Sequence, residues 1–264
     1  MTRKRLFEFK MQLPKRRYAF LGSFAFVGVV LLWHLVSNSG LIQRYFLPAP
    51  SEIVSAAFLL FEDKGFWEGV QDSFFRVTVG YALAVVLAVP VGVLVGSFKV
   101  VEAIIEPLNN FIRYTPLPAF IPLIILWVGL GDMNQITVIF LGVFWTLIVM
   151  VADAAANVPR DLIDTAYTLG LNRLQIIRRV IFPHALPDIY DSLRVAIGWA
   201  WSSLILAEVV GANTGIGHMI MESQRFLKTS NVIFGIVLVG GLGVLLDYFF
   251  KALYPILFKW SEKV

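Results

Sequence analysis

The chain has 264 residues, of which 58% are hydrophobic and only 15% are charged, and its mean hydropathy is +0.76. Soluble domains contain about one quarter charged residues, so this composition excludes an ordinary water-soluble protein and indicates an integral membrane protein. No cysteine is present, which excludes a disulfide framework and a thiolate metal site. The net charge of +4 matters less than the positions of the charges along the chain.

Six apolar stretches come close to the roughly 20 helical residues that cross a bilayer. In chain order they are 18–36, 77–98, 114–131, 135–152, 195–211 and 231–250. Glu208 interrupts the fifth stretch and Asp247 the sixth. Because backbone groups in lipid must be hydrogen-bonded within the segment, runs of this length favour helices over barrel strands. The sequence predicts an all-α membrane protein with six transmembrane helices, whose membrane domain covers residues 18–264.

The first apolar stretch follows a basic tail, residues 1–17. It is longer than the apolar core of a signal peptide and no clear cleavage site follows, which favours a retained helix. If six spans alternate from a cytoplasmic N-terminus, seventeen Lys and Arg residues fall on the inner side. Four fall on the outer side, namely Arg44, Lys64, Arg225 and Lys228. Arg76 lies at a boundary. The positive-inside rule therefore predicts that both termini are cytoplasmic.

Two outer segments have recognisable local patterns. Ser51 follows a proline-containing extended stretch and is a good N-cap, which predicts a short amphipathic helix over 51–62 at the outer surface. The segment 212–229 contains Gly215 and Gly217 and is expected to be a re-entrant or interfacial piece.

Prolines and glycines predict irregular and close-packed places within the spans. Pro116, Pro118 and Pro122 predict an irregular start to the third span, which must be buried or line a cavity. Gly92 and Gly96 have the spacing that permits close contact between helices.

Motifs for catalysis and metal binding are missing from the sequence. There is no phosphate-binding G-x-x-x-x-G-K-[ST], no G-x-S-x-G and no His-Glu-x-x-His. His34, His184 and His218 lack the spacing of metal ligands. We expect no catalytic residue, metal site or cofactor in this chain.

Ionisable residues in or near the spans are the remaining candidates for function. We expect Arg76 and Asp153 to lie near the membrane interfaces, with their charged groups in water. Glu208 has two interpretations: a carboxylate that packs helices together, paired with a Ser, Trp or Arg, or part of a pathway or gate. Arg113, beside Tyr114, is either an inner-edge anchor or an anion-binding group. Our candidate set for the translocation pathway or gate consists of Glu208, Arg113, Tyr114 and Trp201.

The polar segment 157–187 lies between the fourth and fifth spans. Gly170 is expected to end a first short helix, Asn172 to cap a second over 173–181, and Pro183 to stop the second. Helices this short are not stable alone in water. They either pack under their own bundle or dock on a cytoplasmic partner.

This segment resembles the EAA signature of ABC-importer permeases, E-A-A-x3-G-x9-I-x-L-P. The matching positions are Asp164, Thr165, Ala166, Gly170, Val180, Phe182 and Pro183. Ala166, Gly170 and Pro183 are identical to the signature and the spacing is intact. In such permeases the loop holds a coupling helix that sits in a groove of the ATP-hydrolysing subunit. The resemblance therefore implies coupling roles for Asp164, Thr165, Ala166, Gly170, Leu171 and Pro183.

The resemblance extends over most of the chain from Leu47 onward. It includes the segments 47–51, 73–76, 115–118, 126–131 and 207–212, which are similar to the nitrate, sulfonate, taurine and bicarbonate branch of these permeases. The family implies a type I ABC importer with the MetI-like fold in the bacterial inner (plasma) membrane, carrying a small oxyanion by alternating access.

The expected partners follow from the same resemblance. They are two ATPase subunits that bind ATP and magnesium, a second permease copy, a periplasmic or lipoprotein solute-binding protein, and membrane lipid, but no nucleic acid. The alternatives are a permease for another small organic solute, an ATP-independent channel or secondary transporter, and a membrane enzyme. The sequence offers no convincing repeat and few central charges for a secondary transporter, and no nucleophile–base pair for an enzyme.

Overall fold

The computed structural model describes residues 14–260, so most of the predicted basic tail lies outside the described residues. Within that range the chain is helical and contains no strand. The helices in chain order are α1 (Lys15–Asn38), α2 (Pro50–Phe61), α3 (Lys64–Ser97), α4 (Lys99–Tyr114), α5 (Leu117–Val128), α6 (Asp132–Ala156), α7 (Arg160–Thr168), α8 (Arg173–Ile176), a π-helical turn (Ile177–Ile181), α9 (Phe182–Gly211), α10 (Ile216–Arg225) and α11 (Thr229–Leu257).

The predicted six spans are confirmed, with one change of shape. Within residues 14–260, five helices are long and apolar enough to cross a membrane, and the count is six if α4 and α5, which meet at a bend of 96°, are taken together as one span. The irregular start predicted for the third span is the break between α4 and α5, and the apolar stretch 114–131 itself holds only the shorter helix α5. Thr115 precedes Pro116 and has an extended backbone (φ −77°, ψ 128°), because a proline disfavours the helical conformation of the residue before it.

The centre of the bundle is the seam between α3 and α6, which run parallel. Small residues recur at every fourth position of α3 and face α6: Gly80, Ala84, Ala88, Gly92 and Gly96. A Cβ atom added at Gly80 would lie 2.8 Å from Ile139, and one at Gly92 would lie 2.7 Å from Val151. The backbones are therefore as close as the small-residue spacing predicted. Helix α9 also packs on α6, and their buried apolar side chains belong to one core cluster.

The segment between α6 and α9 has the predicted order of helix, glycine bend and helix. After α7, Gly170 takes a left-handed conformation (φ +80°) that suits glycine. Asn172 then caps α8, since its side-chain oxygen accepts a hydrogen bond from the Gln175 N–H at 2.9 Å.

Pro183 does not stop the second helix, contrary to the prediction. Helices α8 and α9 join through the π-helical turn into one helix, Arg173–Gly211. In this turn the Phe182 N–H donates to the carbonyl of Ile177, five residues back. Pro183 occupies the first turn of the α-helical segment that follows, and the local change of hydrogen-bond spacing allows the helix to continue past it.

The segments that flank the core also differ in detail from the predictions. The predicted helix over 51–62 is α2, but Pro50 is its first residue, so Ala49 and not Ser51 occupies the cap position. Helix α1 is held to the chain after it by hydrogen bonds from Trp33 Nε1 to the Pro48 carbonyl (3.1 Å) and from Ser37 Oγ to the Leu47 carbonyl (2.8 Å).

The segment 212–229 is mainly the helix α10, which packs on α9 and α11. Its first residues, Ile216 and Gly217, are buried. The backbone N–H groups of this helix start are therefore available to interior side chains.

Candidate functional site

Polar side chains gather at the two ends of the bundle. Helix α6 begins at Asp132 beside α10, and we call this the α10 end. It ends at Ala156 shortly before α7, and we call this the α7 end. The candidate pathway residues divide between the two: Glu208 lies at the α10 end, and Arg113 lies in α4 toward the α7 end.

The α10 end holds a buried ion network centred on Arg76 and Glu208, which are 4% and 1% exposed. Arg76 Nη1 donates to Glu208 Oε1 at 2.8 Å. Ser73 Oγ donates to the same oxygen at 2.8 Å, and the Gly217 N–H donates to Glu208 Oε2 at 2.8 Å. Both carboxylate oxygens are thus occupied by donors from α3 and α10.

The guanidinium of Arg76 is occupied on its other edges as well. Its Nε donates to Asp132 Oδ1 at 2.7 Å, and Nη1 donates to the Thr214 carbonyl at 2.8 Å. Nη2 donates to Thr214 Oγ1 at 2.9 Å, and this hydroxyl donates in turn to Asp72 Oδ2 at 2.6 Å. The network therefore ties α3, the start of α6, the end of α9 and the loop before α10 together.

Glycine is required where the loop crosses this network. Gly215 has a φ of +120°, and a side chain there would collide with the carboxylate of Glu208.

The expectation that Arg76 lies at the interface with its charge in water was wrong. Three carboxylates, from α3, α6 and α9, surround its guanidinium and compensate for the loss of hydration on burial. The carboxylates of α6 and α9 are far from Arg76 in the sequence, so this pairing could not be predicted from local patterns.

Glu208 and Trp201 are both enclosed by their own chain. Glu208 has an Arg and a Ser as partners, which matches the helix-packing interpretation of this carboxylate. Trp201 is 3% exposed and packs edge-on against Phe74, with ring centroids 5.5 Å apart. Neither side chain is exposed to a solute in this arrangement of the chain.

A polar cavity of about 310 Å³ opens between α4 and α6 toward the α7 end. Its polar lining consists of Glu102, Glu106, Asn109, Asn110, Arg113, Tyr114 and Asp153. Asn109 is 1% exposed, and neither its amide nitrogen nor its amide oxygen has a hydrogen-bond partner among the described residues. The Nε of Arg113 is also buried without a partner in this part of the chain. Unpaired groups of this kind are uncommon in protein interiors and require an explanation.

A second, larger cavity of about 790 Å³ lies between α5, α6 and α9. It is mostly apolar, with Trp127, Trp145 and Trp199 in its lining together with two serines of α9. Arg113 and Tyr114 line both cavities. The structure thus places these two candidate residues at the junction of two spaces, and places Glu208 and Trp201 away from it.

Ala166 is the one buried residue of helix α7. Ala166 is 4% exposed, whereas Asp164, Thr165 and Gly170 are exposed and Leu171 is half-buried. The helix ends in a Schellman motif, in which the Leu171 N–H donates to the Ala166 carbonyl (3.1 Å) and the Gly170 N–H donates to the Tyr167 carbonyl (2.9 Å). This explains physically why a small residue and a glycine occur at this spacing. Pro183 is separate from this motif, in the first turn of α9.

Sequence reasoning missed Asn109 and the helix that carries it. The charges of α4 hid this helix from a search for charge-free runs. A signal was present, because Glu102, Glu106, Asn109 and Arg113 recur at helical spacing and form one polar stripe. Within residues 14–260 no group of three or more His, Asp or Glu side chains could hold a metal ion.

Residues 88–259 match the sequence family described as the binding-protein-dependent transport system inner membrane component. The chain is 30% identical to the taurine transport system permease protein TauC of Escherichia coli (strain K12), over 97% of this chain and 94% of that protein. It is 31% identical to a putative aliphatic sulfonates transport permease protein, SsuC of Bacillus subtilis (strain 168), over 94% of this chain and 90% of the relative.

Two further similarities extend this comparison. The bicarbonate transport system permease protein CmpB of Synechocystis sp. (strain PCC 6803) is 31% identical, over 85% of this chain and 83% of that protein. Among solved structures, the inward-facing MetNI methionine ABC transporter matches with a TM-score of 0.58 at 22% identity, over 70% of this chain and 94% of the matched chain. At this identity the match establishes the MetI-like fold alone.

Family, fold and span number agree with one another. The chain therefore belongs to the binding-protein-dependent transport system inner membrane components, the ABC-importer permeases, and it is a multi-pass transport subunit and not an enzyme.

Proposed function

We propose that this chain is the membrane subunit of an ATP-driven importer for a small oxyanion such as a sulfonate, taurine, bicarbonate or nitrate. The names of three relatives support a solute of this class, since they refer to taurine, aliphatic sulfonates and bicarbonate. The absence of a phosphate-binding loop in the sequence supports the assignment of ATP and magnesium to a separate ATPase.

The observation that carries this proposal is the surface of α7. Leu162, Tyr167 and Leu169 are 41%, 51% and 74% exposed on a short helix outside the apolar spans. Within the part of the chain that the structure describes, helix α7 packs mainly on α8 and the π-helical turn, so its own bundle covers little of it. An apolar, preformed helix surface of this kind fits a groove on a partner, and the EAA resemblance identifies the partner class as the ATPase.

The path for mechanical coupling is the continuous helix that follows α7. Arg173–Gly211 runs for 39 residues from the α7 end to Glu208 in the ion network. A displacement of α7 by the ATPases would tilt the helix Arg173–Gly211. The elements bonded to its far end through the ion network would move with it as one rigid body. Such rigid-body motion is one route to alternating access.

The assembly has the α7 end in the cytoplasm and the α10 end facing the solute-binding protein, in keeping with the distribution of Lys and Arg. Both termini are then cytoplasmic. A second permease copy completes the pathway, which Arg113 and Tyr114 line from this chain. Glu208 and Trp201 act on the pathway through the position of α9 and not by contact with the solute.

Gly170 provides the experiment that tests coupling through α7. Gly170→Val places a β-branched residue at a φ of +80°, although an added Cβ would touch nothing. Gly170→Asn is the matched control, because asparagine tolerates this conformation. In proteoliposomes with the ATPase and binding protein, we expect Gly170→Val to lose most ATP-dependent uptake and Gly170→Asn to keep most of it. Equal uptake by both variants, or uptake without any ATPase, would refute the proposed coupling.

A further inference from the structure

We propose that the polar cavity between α4 and α6 binds a small zwitterion that has a sulfonate or carboxylate at one end and an ammonium group at the other. Arg113 and Asn109 would bind the anionic head, and Asp153 and Glu106 the ammonium group. This inference rests on the proposed transport function and narrows its solute class.

Unpaired polar atoms line this cavity. Among the described residues, Asn109 is buried with both ends of its amide unpaired, and Arg113 Nε is buried and unpaired as well. Burying such groups without partners is unfavourable, so a ligand that pairs with them gains affinity. Asn109 and Arg113 are four residues apart on α4 and therefore share a face of the helix.

Neutral neighbours hold the guanidinium of Arg113 in position. Arg113 Nη2 is held by contacts with Asn110 Oδ1 at 3.3 Å and the Tyr114 hydroxyl at 3.4 Å, and the guanidinium carbon lies 5.1 Å from the centre of the Tyr114 ring. No carboxylate of the described residues lies within 4.0 Å of it. The cation is thus oriented by neutral groups and keeps its capacity for an anion.

The lining of this cavity carries charges of both signs. Glu102 is paired with Lys99 at 2.6 Å, but Glu106 and Asp153 have no such cation among the described residues. A simple oxyanion would meet one unpaired arginine and two unpaired carboxylates, so the carboxylates would repel it. A zwitterion brings an ammonium group for the carboxylates as well as an anion for the arginine.

The size of the cavity is consistent with this ligand class. At about 310 Å³ it lies at the lower end of the usual range for ligand sites, which suits a solute of a few heavy atoms. The adjoining apolar cavity shares Arg113 and Tyr114 but has no carboxylate in its lining. The pair of opposite charges therefore distinguishes the polar cavity from its neighbour.

Ligand-observed NMR titration of the purified full-length chain in detergent tests this proposal, because the method measures weak binding. The probes are 2-aminoethanesulfonate (taurine) and 2-hydroxyethanesulfonate (isethionate), which differ only in the ammonium group. We expect taurine to bind at least about tenfold more tightly than isethionate, from the loss of one charge-assisted hydrogen bond. Arg113→Gln should weaken the binding of both probes, also by at least about tenfold.

Asp153→Asn is the decisive variant. It should weaken taurine binding and leave isethionate binding unchanged or stronger, so that the preference disappears. Glu106→Gln provides the same readout if Asp153→Asn does not fold, and Glu62→Gln, an exposed residue after α2, is the control that should change neither affinity. Absence of taurine binding, equal binding of the two probes, or an unchanged preference in both acid variants would overturn the proposal.

Failure of this inference can be separated from failure of the proposed function. Equal ATP-dependent uptake of taurine and isethionate in the full complex, with equal binding to the chain, would leave the importer in place and refute the zwitterion site. A taurine preference in the titration with no ATP-dependent uptake of any solute would support the site and refute the importer.

Discussion

Two arginines at different depths of this bundle have opposite environments. Arg76 is 4% exposed, and every edge of its guanidinium is hydrogen-bonded within the chain, with Asp132 and Glu208 as charged partners. Arg113 borders two cavities, and within residues 14–260 its polar contacts are the neutral groups of Asn110 and Tyr114. A saturated ion network fixes the positions of helices, whereas an unsaturated cation retains the capacity to bind a ligand.

The difference comes from how many elements reach each arginine. At the α10 end, α3, α6, α9 and the loop before α10 all supply partners to Arg76. At Arg113 the polar contacts come from α4 itself, and α6 contributes Asp153 across the cavity. Substitutions should therefore affect stability at the first site and binding at the second.

The largest expected effect is that of Arg76→Met. Removing this cation leaves Glu208 buried without its charged partner, which costs about 3–5 kcal/mol of unfolding free energy. Thermal unfolding in detergent measures the change. Lys99→Met is the control, because its pair with Glu102 is solvent-exposed and should contribute little. A melting temperature equal to that of the unaltered protein would mean that the network is not structural.

Gly92→Val should cause the next largest loss of stability, because the added side chain would push α3 away from α6. An added Cβ would lie 2.7 Å from Val151, and overpacking of this kind costs about 1–3 kcal/mol. The same melting experiment on Gly241→Val is the matched control, since a Cβ there meets no atom within 4 Å. Equal losses in the two variants would contradict close packing at the seam.

Asn109→Leu should increase stability. The substitution replaces a buried amide that has no hydrogen-bond partner within residues 14–260, and removing such a group stabilises the fold by about 1 kcal/mol. We expect a higher melting temperature together with weaker taurine binding. Asn110→Leu, which removes a contact with Arg113, should give no increase. A lower melting temperature for Asn109→Leu would indicate that the amide is bonded within the folded chain.

The smallest stability effect is expected for Arg113→Gln, below about 0.5 kcal/mol, because no ion pair is lost. Comparison of its melting temperature with that of Arg76→Gln tests the contrast between the two arginines directly. If both variants melt at similarly reduced temperatures, Arg113 has a structural role and the contrast is wrong.

Local sequence patterns predicted most of the turns within the segment 157–187, but not how this segment continues into α9. Ala166, Gly170 and Asn172 set the end of α7 and the start of α8 through nearby backbone hydrogen bonds, and these were predictable. Pro183 was misread, because the π-helical turn before it changes the hydrogen-bond spacing. Ser51 was misread since Pro50 already starts α2 one residue earlier.

The candidate pathway set shows the limit of sequence reasoning most clearly. Arg113 and Tyr114 adjoin cavities, but Trp201 is buried in the core and Glu208 in the ion network. Hydropathy marks Glu208 as unusual without indicating its surroundings. Its partners, Arg76 and Ser73, lie more than 130 residues away in the chain.

The sequence by itself determined the membrane class, the approximate number of spans and the glycine turn that ends α7, because each depends on composition or on residues a few positions apart, and its resemblance to known permeases indicated the family. Only the tertiary structure decided which charges are paired. An arginine in an apolar segment has the same local sequence whether three carboxylates surround it or none. The roles of Arg76 and Arg113 differ because distant helices converge on the first and leave an open cavity beside the second.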